Sequence, residues 1–224
     1  MEPTSLDHVA LWVADRDSIA GFVTAHLGMH VIDRTDRFTL VGSDARRGKL
    51  TLFEAEGPRE QGALARIGLR VSDLASARAA LPEGTPEVFD VGEDLRLTLV
   101  EGATDVEYDL DHVALYTPDP EATARAYRTY GFDGADPKDG VPRVEVGGAY
   151  VEFHEGDPGE PDKPLLNHLA VLVDSAEEHR QDAEDAGIEV ESFVDAANTL
   201  AVFLWGPDRV RIEYVEHKPT FSLT

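Results

Sequence analysis

The sequence contains no cysteine and only four lysines among its 224 residues. Without cysteine, the protein forms no disulfide bonds and carries out no thiolate chemistry. The chain also lacks an apolar run as long as a membrane span, and it has no basic, apolar leader at its start. We therefore expect a soluble, cytoplasmic protein without a membrane partner.

Positive charge is scarce throughout the chain. The 44 Asp and Glu residues outnumber the 20 Lys and Arg residues, and the net charge is −24. A field of this sign repels phosphate backbones and anionic lipids, so nucleic acids and membranes are poor partners. The acidic residues are spread along the chain, which argues against a disordered acidic tail. They predict an acidic surface of the halophilic kind, in which salt screens the repulsion between like charges.

One hexapeptide, Leu-Asp-His-Val-Ala-Leu, occurs twice, at residues 6–11 and again at 110–115. Self-similarity at a fixed spacing indicates a duplicated fold unit. Each half of about 100 residues is long enough to bury a core. The sequence therefore predicts two domains, residues 1–104 and residues 105–224, with His8 and His112 at equivalent places.

Each half divides again into two units that read as a strand, a helix and further strands. The four units cover approximately residues 6–56, 63–102, 109–155 and 166–216. In the first unit, Asp15 or Asp17 is a suitable helix N-cap and Gly28 a suitable residue to end the helix. The other helices are expected at residues 73–81, 118–130 and 175–186, the third beginning at Pro118.

The order of these elements and three local motifs resemble the vicinal oxygen chelate superfamily, which includes glyoxalase I, extradiol dioxygenases and bleomycin-binding proteins. The motifs are the repeated hexapeptide, Asn-His-Leu-Ala at 167–170 and Gly-Pro-Asp-Arg-Val-Arg-Ile-Glu-Tyr at 206–214. The resemblance implies an α+β fold of four βαβββ modules. These would form two tandem glyoxalase/dioxygenase-like domains, each a curled mixed sheet with outer helices.

The resemblance also implies a metal site on the first and last strands of paired modules. In the second half these positions carry two histidines and two carboxylates: His112, Glu152, His168 and Glu213. The matching residues of the first half are His8, Leu52, Arg66 and Thr98. Because only His8 of these is a good ligand, the first domain is expected to be degenerate. The second is expected to hold one divalent transition metal, Fe, Ni, Zn or Mn.

Both carboxylates of this ligand set lie between apolar neighbours on their strands, which supports a functional role for them. A buried carboxylate such as Glu152 or Glu213 is costly unless it is paired or bound to a metal. Glu152 and His154 are two residues apart on one strand and so face the same side. We expect Glu152 and His154 to be catalytic, with Glu152 or Glu213 as a mobile base and His154 as an acid or base near the metal.

Three functions stay open at this point. The leading prediction is a metal-dependent lyase or isomerase of glyoxalase type, acting on a small molecule with two adjacent oxygens. The alternative is an extradiol-type Fe(II) dioxygenase that cleaves catechols or hydroquinones. The third is a metal-free protein that binds a small ligand in the same cleft, as bleomycin-resistance proteins do. A homodimer is compatible with all three.

A second arrangement of the modules is also open. In hydroquinone-cleaving relatives the first module pairs with the fourth. That pairing would bring His8, His168 and Glu213 together opposite Leu52, and would form a site of two histidines and one carboxylate. The sequence does not decide whether module four pairs with module three or with module one.

The acidic composition predicts a strong dependence of stability on salt. Since molar KCl screens repulsion among surface carboxylates, we expect the thermal unfolding midpoint to rise steeply between low salt and molar KCl. Differential scanning calorimetry across a KCl series measures this midpoint, and an unchanged midpoint would contradict the halophilic interpretation.

Overall fold

The structure is a computed structural model that describes residues 2–223, and four successive groups of elements follow the four predicted modules. The first contains β1 (Ser5–Val13), α1 (Arg16–His26), β2 (His30–Arg34), β3 (Phe38–Asp44) and β4 (Arg47–Glu54). The second contains β5 (Leu64–Val71), α2 (Leu74–Ala79), β6 (Val88–Asp90) and β7 (Arg96–Glu101).

The second half of the chain repeats the same order of elements. The third module contains β8 (Asp109–Thr117), α3 (Pro120–Tyr127), a 3₁₀ turn (Arg128–Tyr130), β9 (Asp133–Lys138), β10 (Val141–Val146) and β11 (Ala149–Glu155). The fourth contains β12 (Leu166–Leu172), α4 (Ala176–Asp185), β13 (Val190–Asp195), β14 (Thr199–Trp205), a 3₁₀ turn (Pro207–Arg209) and β15 (Arg211–His217). The predicted α+β fold of tandem glyoxalase-like units is confirmed, although module two has two strands after its helix instead of three.

The strands form two sheets that join modules across the sequence. The eight-stranded sheet has the order β13-β14-β15-β12-β1-β4-β3-β2, and the seven-stranded sheet has the order β6-β7-β5-β8-β11-β10-β9. Module one therefore pairs with module four, and module two pairs with module three. The predicted division at residue 104 follows the sequence repeat, but each sheet draws strands from both sides of it.

Local signals place the helices well. The side chain of Asp15 accepts a hydrogen bond from the backbone N–H of Ser18 and caps α1, while Gly28 follows the helix with φ +63°. The third helix begins later than expected, because Asp119 is its N-cap and Pro120, rather than Pro118, is its first residue. Among residues 2–223, no helix has both the length and the apolar character needed to cross a membrane.

The main apolar core contains side chains of both sheets and of the helices. Fully buried examples are Leu11 and Leu52 of the eight-stranded sheet and Ile67 and Phe153 of the seven-stranded sheet. Leu52 therefore belongs to the core. On the central strands, the faces that point away from this core carry polar side chains.

A turn with two glycines in the seven-stranded sheet packs against the backbone at the start of the eight-stranded sheet. Gly147, between β10 and β11, has φ +56°, and a Cβ atom there would lie 2.1 Å from the carbonyl oxygen of Thr4, just before β1, and 2.8 Å from Ser5 Cα at its start. Its neighbour Gly148 has φ +83°, but a Cβ atom at that position would meet nothing within 4 Å. The contact at Gly147 therefore requires both the backbone conformation and the missing side chain.

These two glycines form a matched pair for a stability test. Gly148→Ala should cost about 1 kcal/mol of unfolding free energy, because alanine is strained at positive φ. Gly147→Ala should cost clearly more, because its methyl group also collides with the backbone of β1. Urea unfolding of both variants measures the difference, and equal losses would show that the contact with Thr4 contributes nothing.

Candidate metal centre

Two histidines and a glutamate converge on the polar face of the eight-stranded sheet. His8 Nε2 lies 3.2 Å from His168 Nε2 and 3.3 Å from Glu213 Oε2. His168 Nε2 lies 2.9 Å from the same carboxylate oxygen. Among the residues that the structure describes, this is the one group of three or more such side chains close enough to hold a metal ion together.

The strand register explains this convergence. Ala170 on β12 pairs with His8 on β1 on one side and with Glu213 on β15 on the other. His168 lies two residues before Ala170 and so faces the same side of the sheet. Because the Ala170 side chain is a single methyl group, the long side chains of its two neighbours can meet above it.

Each imidazole is held by the residue that precedes it in the sequence. His8 Nδ1 lies 2.8 Å from Asp7 Oδ2, and His168 Nδ1 lies 2.9 Å from Asn167 Oδ1. Bonds of this kind fix the ring orientation and direct Nε2 towards the site, as the outer partners of metal-bound histidines do. Arg211 Nη1 in turn donates to Asn167 Oδ1 at 2.8 Å.

Asp7 is itself the centre of a buried network. Lys49 Nζ donates to Asp7 Oδ1 at 3.0 Å, and His217 Nε2 lies 3.0 Å from the same oxygen. Burial disfavours the charge of Asp7, but contacts with His217 and His8 hold the pKa of its carboxyl well below its usual range. Asp7 is therefore a fixed negative charge behind His8.

The three converging groups have shifted pKa values. Burial alone would lower the pKa of His8, but its hydrogen bonds to Asp7 and Glu213 raise it to about 9. Burial also opposes the charge of Glu213, yet the adjacent His168 and His8 hold its pKa well below the usual range. Burial lowers the pKa of His168. Without a metal, the site is therefore a charged His8–Glu213 pair beside a neutral His168.

The dimensions of this site fit a divalent transition metal. Coordination bonds from imidazole nitrogen and carboxylate oxygen are about 2.0 to 2.2 Å long, so ligand atoms around one ion lie about 3 Å apart. The observed separations are 2.9, 3.2 and 3.3 Å. A neutral nitrogen, a second nitrogen that must give up its proton and a carboxylate form the ligand set that suits Fe, Zn, Ni or Mn.

Aromatic rings line the site on the same face. The ring of Phe203 packs edge-on against His168 with centroids 5.2 Å apart, and the ring of Phe53 lies 6.1 Å from His168. Phe53 also packs against Trp12 and Phe38. These rings keep the surroundings of the polar cluster apolar.

The other two predicted ligands, His112 and Glu152, lie on the seven-stranded sheet. Their closest atoms, His112 Nε2 and Glu152 Oε2, are 3.7 Å apart, and His154 Nε2 lies 3.6 Å from the same oxygen. Arg66 Nη2 donates to that oxygen at 3.0 Å. His154 is close to Glu152 as expected, but both are away from His168 and Glu213.

The expected set of four ligands is therefore corrected. The structure places His168 and Glu213 with His8, and it places His112 and Glu152 with Arg66, because module four pairs with module one. The arrangement that the sequence left open as the alternative is the one observed. Because Glu152 and His154 lie on the other sheet, the geometry does not support catalytic roles for them at a site with His168.

One equivalence from the sequence repeat also needs correction. Glu152 on β11 pairs with Ala114 on β8, and in module one the equivalent alanine, Ala10 on β1, pairs with Thr51 on β4. Thr51 is therefore the equivalent of Glu152. Leu52 is one residue further and points into the core. The fourth position of the His8 site thus carries a buried, neutral hydroxyl group. The equivalences of His168 with Arg66 and of Glu213 with Thr98 agree with the register.

Sequence reasoning missed the supporting residues. Asp7 and Asp111 precede the two repeated histidines. Asp111 Oδ1 lies 3.0 Å from His112 Nδ1, and Asp7 Oδ2 lies 2.8 Å from His8 Nδ1. The repetition of the Asp-His pair was a signal for this role. Nothing in the sequence around His217 indicates its contact with Asp7.

Comparison with known proteins relates part of the chain to a protein family. The sequence profile of the Glyoxalase/Bleomycin resistance protein/Dioxygenase superfamily matches residues 5–88. The resemblance to this superfamily is confirmed. The profile spans module one and most of module two, and the structure extends the same fold to modules three and four. No curated protein sequence matches the chain.

Solved structures share this fold over nearly the whole chain. The "putative dioxygenase" from Bacillus subtilis subsp. subtilis str. 168 is 15% identical with a TM-score of 0.80, and the match covers 97% of this chain and 86% of that one. Glyoxalase I from Zea mays is 15% identical with a TM-score of 0.72, covering 95% and 92%. The cppA protein from Streptococcus pneumoniae TIGR4 is 14% identical with a TM-score of 0.62, covering 96% and 98%. At such identities these likenesses show the glyoxalase-like fold.

The raised pKa of His8 predicts a specific pH dependence of stability in the presence of a chelator. The folded state holds the His8 proton with a pKa of about 9 against an ordinary value of 6.5. His8 therefore stabilises the fold fully below pH 6.5, and this contribution is lost as the pH rises through 9. We expect the unfolding free energy to fall by up to about 3 kcal/mol across that window.

Urea unfolding at a series of pH values measures this loss. His168 and His154 have lowered pKa values, so their titration affects stability only below pH 6.5. The change in unfolding free energy between pH 6.5 and 9 is therefore assigned to His8. In His8→Gln the slope between pH 6.5 and 9 should disappear. An equal slope in the variant would mean that another group is responsible.

Proposed function

We propose that this protein is a non-haem Fe(II) dioxygenase that cleaves the ring of a small aromatic diol, a catechol or a hydroquinone. The observation that carries the proposal is the ligand set itself. His8, His168 and Glu213 supply two imidazoles and one carboxylate, while the fourth position holds the neutral Thr51. Three protein ligands leave half of an octahedron open, which is the arrangement typical of Fe(II) oxygenases.

The chain's own residues define how such a site would work. Asp7 and Asn167 orient the two imidazoles so that both Nε2 atoms face the same point. Glu213 stays ionised and balances part of the charge of the ion. A bound Fe(II) would supply activation of dioxygen and of the paired oxygens of the substrate. Phe203 and Phe53 offer apolar surfaces beside the site that suit an aromatic ring.

The glyoxalase-type alternative has less support from the geometry. It depends on a second carboxylate at the metal, which would leave the metal to move a proton. Glu152 was expected to serve in this way, but it lies on the other sheet and is bound to Arg66. Thr51, which takes the equivalent position, has no carboxylate to act as a base.

The pairing of modules also favours the dioxygenase. Module one with module four is the arrangement that the resemblance attributes to hydroquinone-cleaving relatives. The resemblance implies that catechol-cleaving relatives carry a tyrosine and a histidine ahead of the last ligand, and the corresponding positions of this chain fall near Phe203 and Val194. Neither side chain can transfer a proton, so hydroquinones belong in the assay beside catechols.

Metal analysis combined with oxygen uptake tests this function. Protein reconstituted anaerobically with Fe(II) should retain one ion per chain and consume O₂ with an aromatic diol. Glu213→Gln should lose the ion, because the carboxylate that balances its charge is gone. Protein that retains no stoichiometric metal would instead support the metal-free binding function. Turnover of a 2-oxoaldehyde thiol adduct without O₂ uptake would support the glyoxalase-type function.

Thr51 offers a sharper variant for the same assay. Thr51→Glu places a second carboxylate, and therefore a fourth ligand, at the site, so we expect the ion to be retained while O₂ uptake falls strongly. Thr51→Val has nearly the same shape as threonine and should keep both. If Thr51→Glu consumed O₂ as fast as the unaltered protein, the open fourth position would not matter to the reaction.

A further inference from the structure

The chain has two tryptophans, and both lie at one end of the face that carries the proposed metal ligands. Strand β14 continues from Phe203 to Trp205 in the same direction in which β1 continues from His8 to Trp12. Each tryptophan is an even number of residues from a side chain at the metal centre, so it faces the same side of the sheet. A substrate bound at the metal centre therefore has both indole rings at one end.

A cation lies over each of these rings. The guanidinium carbon of Arg209 is 4.6 Å from the ring centroid of Trp205, and Lys163 Nζ is 5.6 Å from that of Trp12. Neither side chain forms a hydrogen bond or an ion pair with residues 2–223. Cation–π attraction holds the two groups over the rings and leaves their N–H donors free. In a chain with a net charge of −24, this end of the site is locally basic.

Measured contacts connect Arg209 to the metal centre. The ring of Trp205 is 5.8 Å from the guanidinium carbon of Arg211, which in turn is 4.6 Å from the ring of Phe203. Phe203 packs against the metal ligand His168. Since a two-residue step along a strand is about 6.5 Å, a ring with a short substituent spans the way from the metal to Trp205.

Arg209 has no counter-ion, in contrast to its neighbour Arg211. Arg211 Nε donates to Glu191 Oε2 at 3.0 Å, so the charge of Arg211 is balanced. The acid next to Arg209 is Asp208, and its carboxylate accepts a hydrogen bond from Thr123 on α3 at 3.2 Å instead. Arg209 itself has φ +55°, a strained conformation for a residue with a side chain, and such strain is concentrated at functional sites.

The segment beside Lys163 contains further donors without acceptors. The N–H of Leu165 donates to the carbonyl oxygen of Glu60 at 2.8 Å, so residues 59–61 lie against residues 163–165. On either side of Glu60, Arg59 Nε and Gln61 Nε2 are buried and make no hydrogen bond within residues 2–223. Buried donors are normally satisfied. Donors therefore exceed acceptors next to this end of the site.

We propose that Arg209 binds a carboxylate of the substrate, so that the substrate is an aromatic diol acid such as a dihydroxybenzoate. The diol part of this inference rests on the proposed function, whereas the carboxylate contact depends on Arg209 alone. A planar guanidinium donates two parallel hydrogen bonds to a carboxylate, which fixes the orientation of the ring. Lys163, three strands across the sheet, adds positive potential that attracts the anion.

Isothermal titration calorimetry in the absence of O₂ tests the carboxylate contact. Dihydroxybenzoates of the catechol and hydroquinone types are compared with their neutral amides at one KCl concentration, with and without added Fe(II). Each acid should bind about tenfold more tightly than its amide, because a charge-assisted pair is formed. Arg209 lies outside the proposed ligand set, so this preference should be present with and without the ion.

Variants assign the preference to Arg209. Arg209→Gln should abolish it, whereas Arg209→Lys, which keeps the charge and loses the planar fork, should keep about a third of it. Lys163→Gln should reduce it by about half, since this side chain acts at longer range. Arg46→Gln is the matched control, because Arg46 lies over the ring of Phe221 at the opposite end of the sheet, 5.1 Å from its centroid. This variant loses the same charge and should keep the full preference.

The outcomes separate this proposal from the proposed function. Equal binding of acids and amides, or full preference in folded Arg209→Gln, would show that the proposal is wrong. If the preference depends on Arg209 but the Fe(II) protein consumes no O₂ with either acid, the carboxylate site stands and the proposed function fails. If O₂ is consumed with neutral diols and the acids have no advantage, the function stands and Arg209 does not select the substrate.

Discussion

The antiparallel pairing of β1 with β12 is the interaction on which the candidate site depends. It places His8 opposite Ala170, and the parallel pairing of β12 with β15 places Glu213 on the other side of the same residue. A shift of one residue in either pairing would turn one of these side chains into the core. The register, together with the small side chain of Ala170, thus creates a three-ligand site from strands that are distant in the sequence.

Burial makes these polar groups interdependent. A buried charge is tolerated when its partners supply both opposite charge and hydrogen bonds. In the eight-stranded sheet, Glu213 has two imidazoles, and Asp7 has Lys49 and His217 behind it. The network around Asp7 holds the His8 ring in place. The rigidity of the candidate site therefore comes in part from residues outside the proposed ligand set.

The sequence was sufficient for the elements of the fold and insufficient for their pairing. Apolar periodicity and helix caps identified the four modules, because these signals are local. The strands β2 and β9 give little local signal, since they are mostly exposed edge strands with little periodicity. The choice between two module pairings depends on which sheet faces fit together, and both arrangements give the same local pattern. His168 and Glu213 were recognised as a pair, but their partner, His8, was assigned to a degenerate half.

The error at Leu52 has a simpler physical origin. Side chains alternate between the two faces of a strand, so an alignment displaced by one residue exchanges a core position for a site position. The loops between strands differ between modules, and the sequence gives no direct measure of that displacement. The strand register measures that displacement directly. Thr51 pairs with Ala10 in module one, and Glu152 pairs with Ala114 in module three, so Thr51 and Glu152 are equivalent.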